Sequence, residues 1–341
     1  MFDMPTDFTQ AAAWLPLAFG LIMALAMLAY VILDGYDLGV GVLLQQATAP
    51  DDKNVMITSI GPFWDANETW LVLAVGLLLV AFPTAHGMIL SALYLPVFIM
   101  LVGLILRGVA FEFRAKASIK HKGTWNAAFF SGSLMTALAQ GYMLGMYIMG
   151  LEATPTHVLF SLLTAGCLVV GYSFIGSVWL VHKTEGALQL KSIDWAKRSL
   201  WGAIIGIAAV SAATPFVSTR IFDKWFTYPE VLWLLPLPVI SAVLIASLWV
   251  MLRRMPFEGD AKSWLPFATA TGLFALAYVG LAYSFYPYVV PERLTIYEAA
   301  AAPESLLIIL IGALFVVPVI AGYSVLAYTI FRGKATELCY D

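Results

Sequence analysis

Long apolar runs, separated by short polar segments, fill most of the chain. A helix needs about 20 apolar residues to cross the hydrocarbon core of a bilayer, and a window of about that length finds roughly nine such runs. The pattern therefore predicts an all-α integral membrane protein with about nine transmembrane helices. We place them near 13–44, 61–82, 87–112, 126–149, 157–181, 199–217, 231–252, 264–286 and 305–331.

Nine helices fit two four-helix bundles plus one additional helix. No linker or soluble segment interrupts the runs, so we expect one polytopic membrane domain over 1–341. It comprises helices with polar motifs at about 13–116, further helices at about 125–331, and a cytoplasmic tail at 332–341. The first run is long for a single crossing, so we expect its end, from Asp34 to Gly41, to project toward the lipid headgroups.

Lysine and arginine residues lie mainly in alternate loops. Fourteen occupy the tail and the loops that follow odd-numbered helices, whereas the other loops hold only Arg220, Lys224 and Arg293. Because loops rich in these residues stay on the cytoplasmic side, we expect the N-terminus outside and the C-terminus inside.

Charge is scarce and concentrated. Charged residues make up 11% of the chain and hydrophobic ones 61%, against roughly 25% charged in soluble domains. Three polar segments lie toward the cytoplasmic ends of the first three helices, at 34–39, 64–70 and 107–114. An ionisable group at mid-membrane costs roughly 2.5–3.5 kcal/mol, so these groups must face protein, water or one another. They form the candidate functional site.

Helical spacing aligns the acids of these segments. Asp34 shares a helical face with Asp37, and Asp65 with Glu68. Chains of carboxyl groups in membrane helices are typical of proton relays, which makes Asp65, Glu68 and Asp34 proton-path candidates. Two alternatives stay open: Asp65 as a helix cap, and the first pair as interfacial acids flanked by loop-forming glycines.

Arg107 follows an unbroken apolar stretch at 95–106. Its guanidinium either snorkels to the surface, balances the acids, or donates hydrogen bonds to a buried polar ligand such as a quinone carbonyl. Trp64 and Asn67 would supply aromatic surface and an amide beside such a ligand.

Residues that bind metals or haem are poorly placed. His86, His121, His157 and His182 all lie away from the middle of the predicted helices, and no pair has the spacing of helical ligands. The two cysteines lie far apart, at 167 and 339. We therefore expect no metal site and no haem in this chain. Motifs for phosphate loops, catalytic triads or nucleic-acid binding are also absent from the sequence.

The polar segments resemble subunit II of the bd-type quinol oxidases. The resemblance rests on Asp34-Gly-Tyr-Asp-Leu-Gly-Val-Gly, Ile60-Gly-Pro-Phe-Trp-Asp-Ala-Asn-Glu-Thr-Trp and Arg107-Gly-Val-Ala-Phe-Glu-Phe-Arg. It is strongest over 30–116, and 286–301 looks like the C-terminal part of the same family. The length and this C-terminal part resemble its cyanide-insensitive branch. Ala66 and Thr69 depart from the glycine and valine expected in the tryptophan-aspartate motif.

The resemblance implies one half of a respiratory terminal oxidase in the bacterial cytoplasmic (inner) membrane. Such an oxidase transfers electrons from ubiquinol or menaquinol to oxygen, forms water, and generates a proton-motive force without pumping. The implied partner is subunit I, which would carry two haem b and one haem d or a b-type substitute. A small single-helix accessory subunit, membrane lipid and a structural quinone in this chain are further implied partners.

The resemblance also assigns roles to matching residues. Asp65 would stand in the proton route from the cytoplasm, and the quinone would be surrounded by Asp37, Trp64, Asn67 and Arg107. Two other interpretations remain: a purely structural scaffold for subunit I, and a secondary transporter whose acids bind a coupling cation. Transporters often contain paired broken helices near the midplane, and the sequence shows no such pair.

Overall fold

Helices make up almost all of the described chain. The computed structural model describes residues 9–335. Of the predicted tail at 332–341, the part from 336 onward lies outside the described residues. Strands β1 (Tyr288–Val290) and β2 (Leu294–Thr295) pair antiparallel. The helices are α1 (Ala11–Leu43), α2 (Pro50–Ile60), α3 (Trp64–Ala81), α4 (Pro83–Lys116), α5 (Ile119–Ile148), α6 (Pro155–Lys183), α7 (Gly186–Val217), α8 (Thr219–Phe226), α9 (Glu230–Leu234), α10 (Pro236–Arg254), α11 (Leu265–Phe285), α12 (Ile296–Ala299) and α13 (Pro303–Ile330).

Several of these helices are long and apolar enough to cross a membrane. Between residues 9 and 335 there are seven: α1, α3, α4, α6, α10 together with α9, α11 and α13. The bent pair of α7 and α8 adds an eighth if it forms a single span. The predicted all-α membrane class is confirmed. The number of nine spans and the division into two four-helix bundles stay predictions.

α5 is less apolar than these helices because small and hydroxylated residues occupy its packed faces. It has 30 residues and lies against α4 and α6. Its buried positions include Gly132, Ser133, Thr136, Gly141 and Gly145. Small residues let membrane helices approach one another closely, so packing rather than hydropathy determines this sequence.

α1 packs against α3, α5 and α6, and its end is buried among them. Every residue from Asp34 to Gly41 is buried and helical, so the alternative of interfacial acids flanked by loop-forming glycines is wrong, whereas the depth of this end relative to the headgroups stays a prediction. The physical reason is close helix packing. A Cβ on Gly39 would lie 1.8 Å from the backbone oxygen of Tyr172 in α6, so only glycine lets these two backbones touch.

The buried core beside this end of α1 is aromatic. The rings of Tyr36 and Trp179 stack with their centroids 4.1 Å apart, and Phe63 meets Trp179 edge-on at 5.4 Å. All three side chains are at most 2% exposed. These large rings form a rigid wall beside the acids of α1.

Candidate functional site

Arg107 in α4 is the centre of the charged cluster and the largest fully buried side chain of the described chain. Its Nη1 lies 2.7 Å from Oδ1 of Asp34 in α1, and its Nη2 donates to Oε1 of Glu68 in α3. The guanidinium is therefore buried and paired, which excludes snorkelling. It connects three helices through two carboxyl groups.

Burial differs sharply between the two partners of Arg107. Asp34 is fully buried, whereas the side chain of Glu68 is 26% exposed. The cluster thus runs from a partly exposed group to a group sealed inside the bundle. This gradient of exposure is what a path between the surface and the interior requires.

A second network surrounds Asn67 in α3. Its Nδ2 lies within hydrogen-bond distance of Oδ2 of Asp37 at 2.8 Å and of the hydroxyl of Tyr36 at 2.9 Å. The Tyr36 hydroxyl lies 2.6 Å from that of Tyr328 in α13, which also donates to Oδ1 of Asn67 at 3.3 Å. This network ties α1, α3 and α13 together.

Sequence reasoning missed both tyrosines of this network. Tyr36 stands between Asp34 and Asp37 in the sequence motif, and a buried tyrosine hydroxyl needs a hydrogen-bond partner. The motif could therefore have indicated Tyr36 as a member of the polar network. Tyr328 carries no comparable signal, since a tyrosine near the end of an apolar helix is usually a membrane-interface residue.

A third polar layer lies one helical turn from Asp34 toward the N-terminus of α1. Gln140 in α5 donates to the hydroxyl of Tyr30 at 2.5 Å and accepts a hydrogen bond from Tyr172 in α6 at 2.7 Å. None of these residues was among the predicted site residues. The polar region is therefore deeper than the motifs alone indicate.

Several polar atoms in the cluster have no hydrogen-bond partner although they are buried. They include Oδ2 of Asp34, Oδ1 of Asp37 and Nε of Arg107. Buried polar atoms are normally paired, and exceptions often mark a place where water or a ligand binds. The cluster thus has unused capacity both to accept and to donate.

The remaining predicted residues lie at the edge of the cluster. Asp65 is exposed in the first turn of α3, where the helix dipole favours it, but the N-cap is Phe63 and makes no side-chain hydrogen bond. The indole of Trp64 packs against Phe111 of α4, with centroids 5.3 Å apart. The structure therefore joins Asp37 and Asn67 by a hydrogen bond, whereas within residues 9–335 Trp64 has no hydrogen bond to either of them.

Fold and site together define a class: a polytopic membrane protein with a buried ion-pair network between its first helices. The chain belongs to the family described as cytochrome bd terminal oxidase subunit II, whose family model matches residues 15–331. This confirms the resemblance found in the polar motifs.

Known relatives match along almost the whole chain. Cytochrome bd ubiquinol oxidase subunit 2 of Bacillus subtilis (strain 168) is 27% identical over 93% of this chain and 96% of its own length. Cytochrome bd-I ubiquinol oxidase subunit 2 of Escherichia coli (strain K12) is 24% identical over 93% and 94%, respectively. The solved bd oxidase from Geobacillus thermodenitrificans shares the fold, with a TM-score of 0.73 at 19% identity, covering 94% of this chain and 99% of that one.

Family membership defines the role of the chain at a coarse level. It is subunit II of a bd-type oxidase, a quinol:oxygen oxidoreductase complex of the bacterial inner membrane. Such a complex implies a subunit I and haem cofactors.

Proposed function

We propose that the buried cluster conducts protons from the cytoplasm toward the site of oxygen reduction in the partner subunit. The observation that carries this proposal is the graded line from exposed Asp65, through partly exposed Glu68, to fully buried Asp34. Asp65 and Glu68 are three residues apart on one helix, about 4.5 Å along its axis. A path of this kind needs groups that can exchange protons at short intervals.

The charge balance of the cluster supports the same proposal. One guanidinium faces three carboxyl groups, those of Asp34, Asp37 and Glu68, in a region of low dielectric. Chains of carboxyl groups within membrane helices are typical of proton relays. Arg107 holds the carboxyl groups of Asp34 and Glu68 close to one another, as such a relay requires.

Proton uptake here suits the reaction of the complex. Oxygen reduction consumes protons taken from the cytoplasm, and oxidation of ubiquinol or menaquinol releases protons outside. A voltage then forms without a pump. In this proposal the haems, two of b type and one of d type or a b-type substitute, belong to subunit I, and quinol is oxidised there.

We also propose that a structural quinone is held beside Asp37, Asn67 and Arg107, with Trp64 at the edge. The support is the free hydrogen-bonding capacity of this region, where Nε of Arg107 has no acceptor. A quinone carbonyl accepts hydrogen bonds but carries no charge, so it would not disturb the ion pairs.

The outer surface of the bundle supports association with subunit I in the membrane. α13 exposes large apolar side chains along its length, including Ile308, Phe315 and Val319, each more than two-thirds exposed. Lipid tails, subunit I and a small accessory subunit all present apolar surface to such a face. The N-terminus is outside and the C-terminus cytoplasmic in this arrangement.

Asp65→Asn tests the proton-path proposal. In the intact complex reconstituted into liposomes, we expect quinol-dependent oxygen uptake to fall about tenfold, because ~1.4 kcal/mol is added to the barrier for proton entry. The control is Asp194→Asn, an exposed acid in α7 paired with Lys197 at 3.5 Å. Unchanged turnover and charge separation in Asp65→Asn, with normal haem content, would leave the subunit a structural scaffold.

Arg107→Leu tests the quinone proposal. Lipid extraction and mass spectrometry of the purified complex should show loss of quinone relative to haem, because the buried donor is removed. Lys191→Gln, which alters an exposed lysine paired with Asp52, serves as the control. Arg107→Lys keeps the charge if the leucine variant does not assemble. An unchanged ratio of quinone to haem in an assembled variant excludes Arg107 as an anchor.

A further inference from the structure

A groove of about 150 Å³ lies between α7 and α10 and shares no lining residue with the cluster around Arg107. The buried side chains of Leu200 and Leu252 form its floor. Its other lining residues are two tryptophans and two cations, namely Trp201, Trp249, Lys197 and Arg253. The volume is roughly ten times that needed to enclose one water, so a group the size of a phosphate fits inside.

The two helices carry the same pattern of residues in opposite directions along the chain. Lys197 stands two residues before the predicted span at 199–217, and Arg253 stands one residue after the predicted span at 231–252. On each helix a tryptophan follows four residues, or about one turn, further into the span. Basic residues at the ends of spans and tryptophans beside them are typical of the membrane interface. We therefore expect the groove to lie at the depth of the lipid headgroups.

The polar groups of the groove are accessible to a ligand. The side chain of Lys197 is 41% exposed, and Arg253 is exposed as well. The guanidinium of Arg253 lies over the ring of Trp249, 3.8 Å from its centroid, and this cation–π contact orients it. Trp201 is 57% exposed, so the groove is open on its outer side. A molecule that enters from the membrane can touch both cations and the aromatic wall.

Positive charge dominates this end of the two helices. Residues 194–201 and 249–254 contain four cations and a single carboxylate, that of Asp194. Asp194 lies 3.5 Å from Lys197, but its side chain is 62% exposed, and an ion pair of this kind is weak because water screens it. Among the described side chains, none forms an ion pair with Arg253. Both cations can therefore pair with an external anion.

Exposed apolar side chains continue from the groove along both helices. Ile205 and Ala208 lie about one and two turns from Trp201 in α7, and both are exposed. In α10, Ala242 lies two turns from Trp249 and is exposed too. This surface suits acyl chains, whereas a free anion makes no use of it. The groove thus has the features that an amphipathic anion requires.

We propose that the groove between α7 and α10 binds an anionic phospholipid, with its phosphate between Lys197 and Arg253 and its acyl chains along Trp201. A phosphate carries negative charge and several acceptor oxygens, so it can pair with an ammonium and a guanidinium at the same time. The cytoplasmic leaflet is rich in anionic lipids, and basic pockets between membrane helices on that side bind their headgroups. The distribution of lysine and arginine predicts this side for the groove.

Lys197→Gln and Arg253→Gln test the proposal because each removes one charge from the groove. In native mass spectrometry of the intact complex, the wild type should retain phosphatidylglycerol in preference to phosphatidylcholine. Each variant should weaken the binding of phosphatidylglycerol about fivefold, as expected for one basic residue near an anionic lipid. The matched controls are Arg198→Gln and Arg254→Gln, which remove neighbouring exposed cations outside the groove and should leave binding nearly unchanged.

A further variant tests the contact with the acyl chains. Trp201→Ala removes an exposed ring and should also lower the retention of phosphatidylglycerol. Trp233→Ala in α9, where the side chain is 81% exposed, should not. The haem content of each purified complex verifies that the variants assemble.

Three results would overturn the proposal. Equal losses in all four charge variants would show a general attraction between basic residues and lipid instead of a site. Equal retention of phosphatidylglycerol and phosphatidylcholine by the wild type would show that the groove does not select an anion. Inorganic phosphate that displaces the lipid from the wild type would identify the groove as a site for the free anion.

Discussion

At the scale of single residues, the strongest constraint is the burial of Arg107 between two carboxyl groups. Removing one partner of a buried ion pair weakens the pairing of the buried group that remains, which costs about 3–5 kcal/mol. The same change at a partly exposed partner costs less because water screens the remaining charge. Asp34 and Glu68 occupy these two situations around one guanidinium.

We therefore expect Asp34→Asn to destabilise the complex by about 3 kcal/mol and Glu68→Gln by about 1 kcal/mol. Both changes keep side-chain size and remove one negative charge, so each serves as the control for the other. Denaturant titration of the purified complex measures the free energy of unfolding. Equal losses in the two variants would show that burial does not distinguish the two pairs.

At the scale of elements, the contact between α1 and α6 positions the acids. Gly39 lies against the backbone of Tyr172, and Gly176 of α6 lies against Gly39 in turn. Neither helix can carry a side chain at this crossing without moving. The crossing thus sets the depth at which Asp34 and Asp37 face Arg107 and Asn67.

Gly39→Ala should destabilise the complex by about 1–3 kcal/mol, because the new methyl group overlaps the carbonyl of Tyr172. Gly76→Ala is the matched control, since a Cβ at this position in α3 meets no atom within 4 Å. That variant should be neutral or gain up to about 1 kcal/mol from its helix propensity. Thermal unfolding of both purified variants gives the comparison, and similar losses would contradict tight packing at the crossing.

The residues that follow α13 are fastened by polar contacts to the end of α6 and to the segment before α11. Lys334 pairs with Asp260, which also accepts from Gln189 at 2.8 Å, and the backbone N–H of Ala335 donates to Lys183 at 2.7 Å. Burial raises the pKa of Asp260, but the hydrogen bonds from Lys334 and Gln189 outweigh it and lower this pKa below its ordinary value.

A folded-state pKa below the unfolded value means that the carboxylate stabilises this attachment above the unfolded pKa of about 3.9. The stabilisation should be lost as pH falls from there through the lowered pKa. Hydrogen–deuterium exchange at Ala335, corrected for intrinsic rates, should accelerate in this acid range. Asp260→Asn should exchange quickly already at neutral pH, and a protected amide in that variant would contradict the role of the carboxylate.

At the scale of the whole molecule, the sequence was sufficient for the class of fold and for the charged segments. Apolar runs predict membrane helices because the bilayer imposes their length, and Arg107 stands out because charge inside them is costly. The partners were harder to predict. Tyr328 lies 292 residues from Tyr36, and no local pattern links such distant positions. Likewise, residues 34–41 are buried because Gly39 lets α1 approach α6 closely. The hydropathy of the sequence does not show which helices approach one another.

The number of spans depends on α5 as well as on the bent pair of α7 and α8, and α5 can be tested directly. In a background with both cysteines replaced, Lys122→Cys and Glu152→Cys place thiols at opposite ends of this helix. If α5 crosses the membrane in the predicted orientation, a membrane-impermeant maleimide should label only position 152 in intact cells and both positions after lysis. Labelling of both in intact cells would show that α5 does not separate the two faces.

The order in which the networks close has a consequence for synthesis of the chain. All three groups of the ion-pair cluster lie in α1, α3 and α4, so both ion pairs of Arg107 can form as soon as those helices have left the ribosome and entered the bilayer. The hydrogen bond between the hydroxyls of Tyr36 and Tyr328 forms only after synthesis of α13, which follows all the other described helices in the chain. A nascent chain therefore passes through a stage in which the ion pairs of Arg107 have formed but Tyr36 still lacks the hydrogen bond to Tyr328, and a chain truncated before α13 never forms that bond.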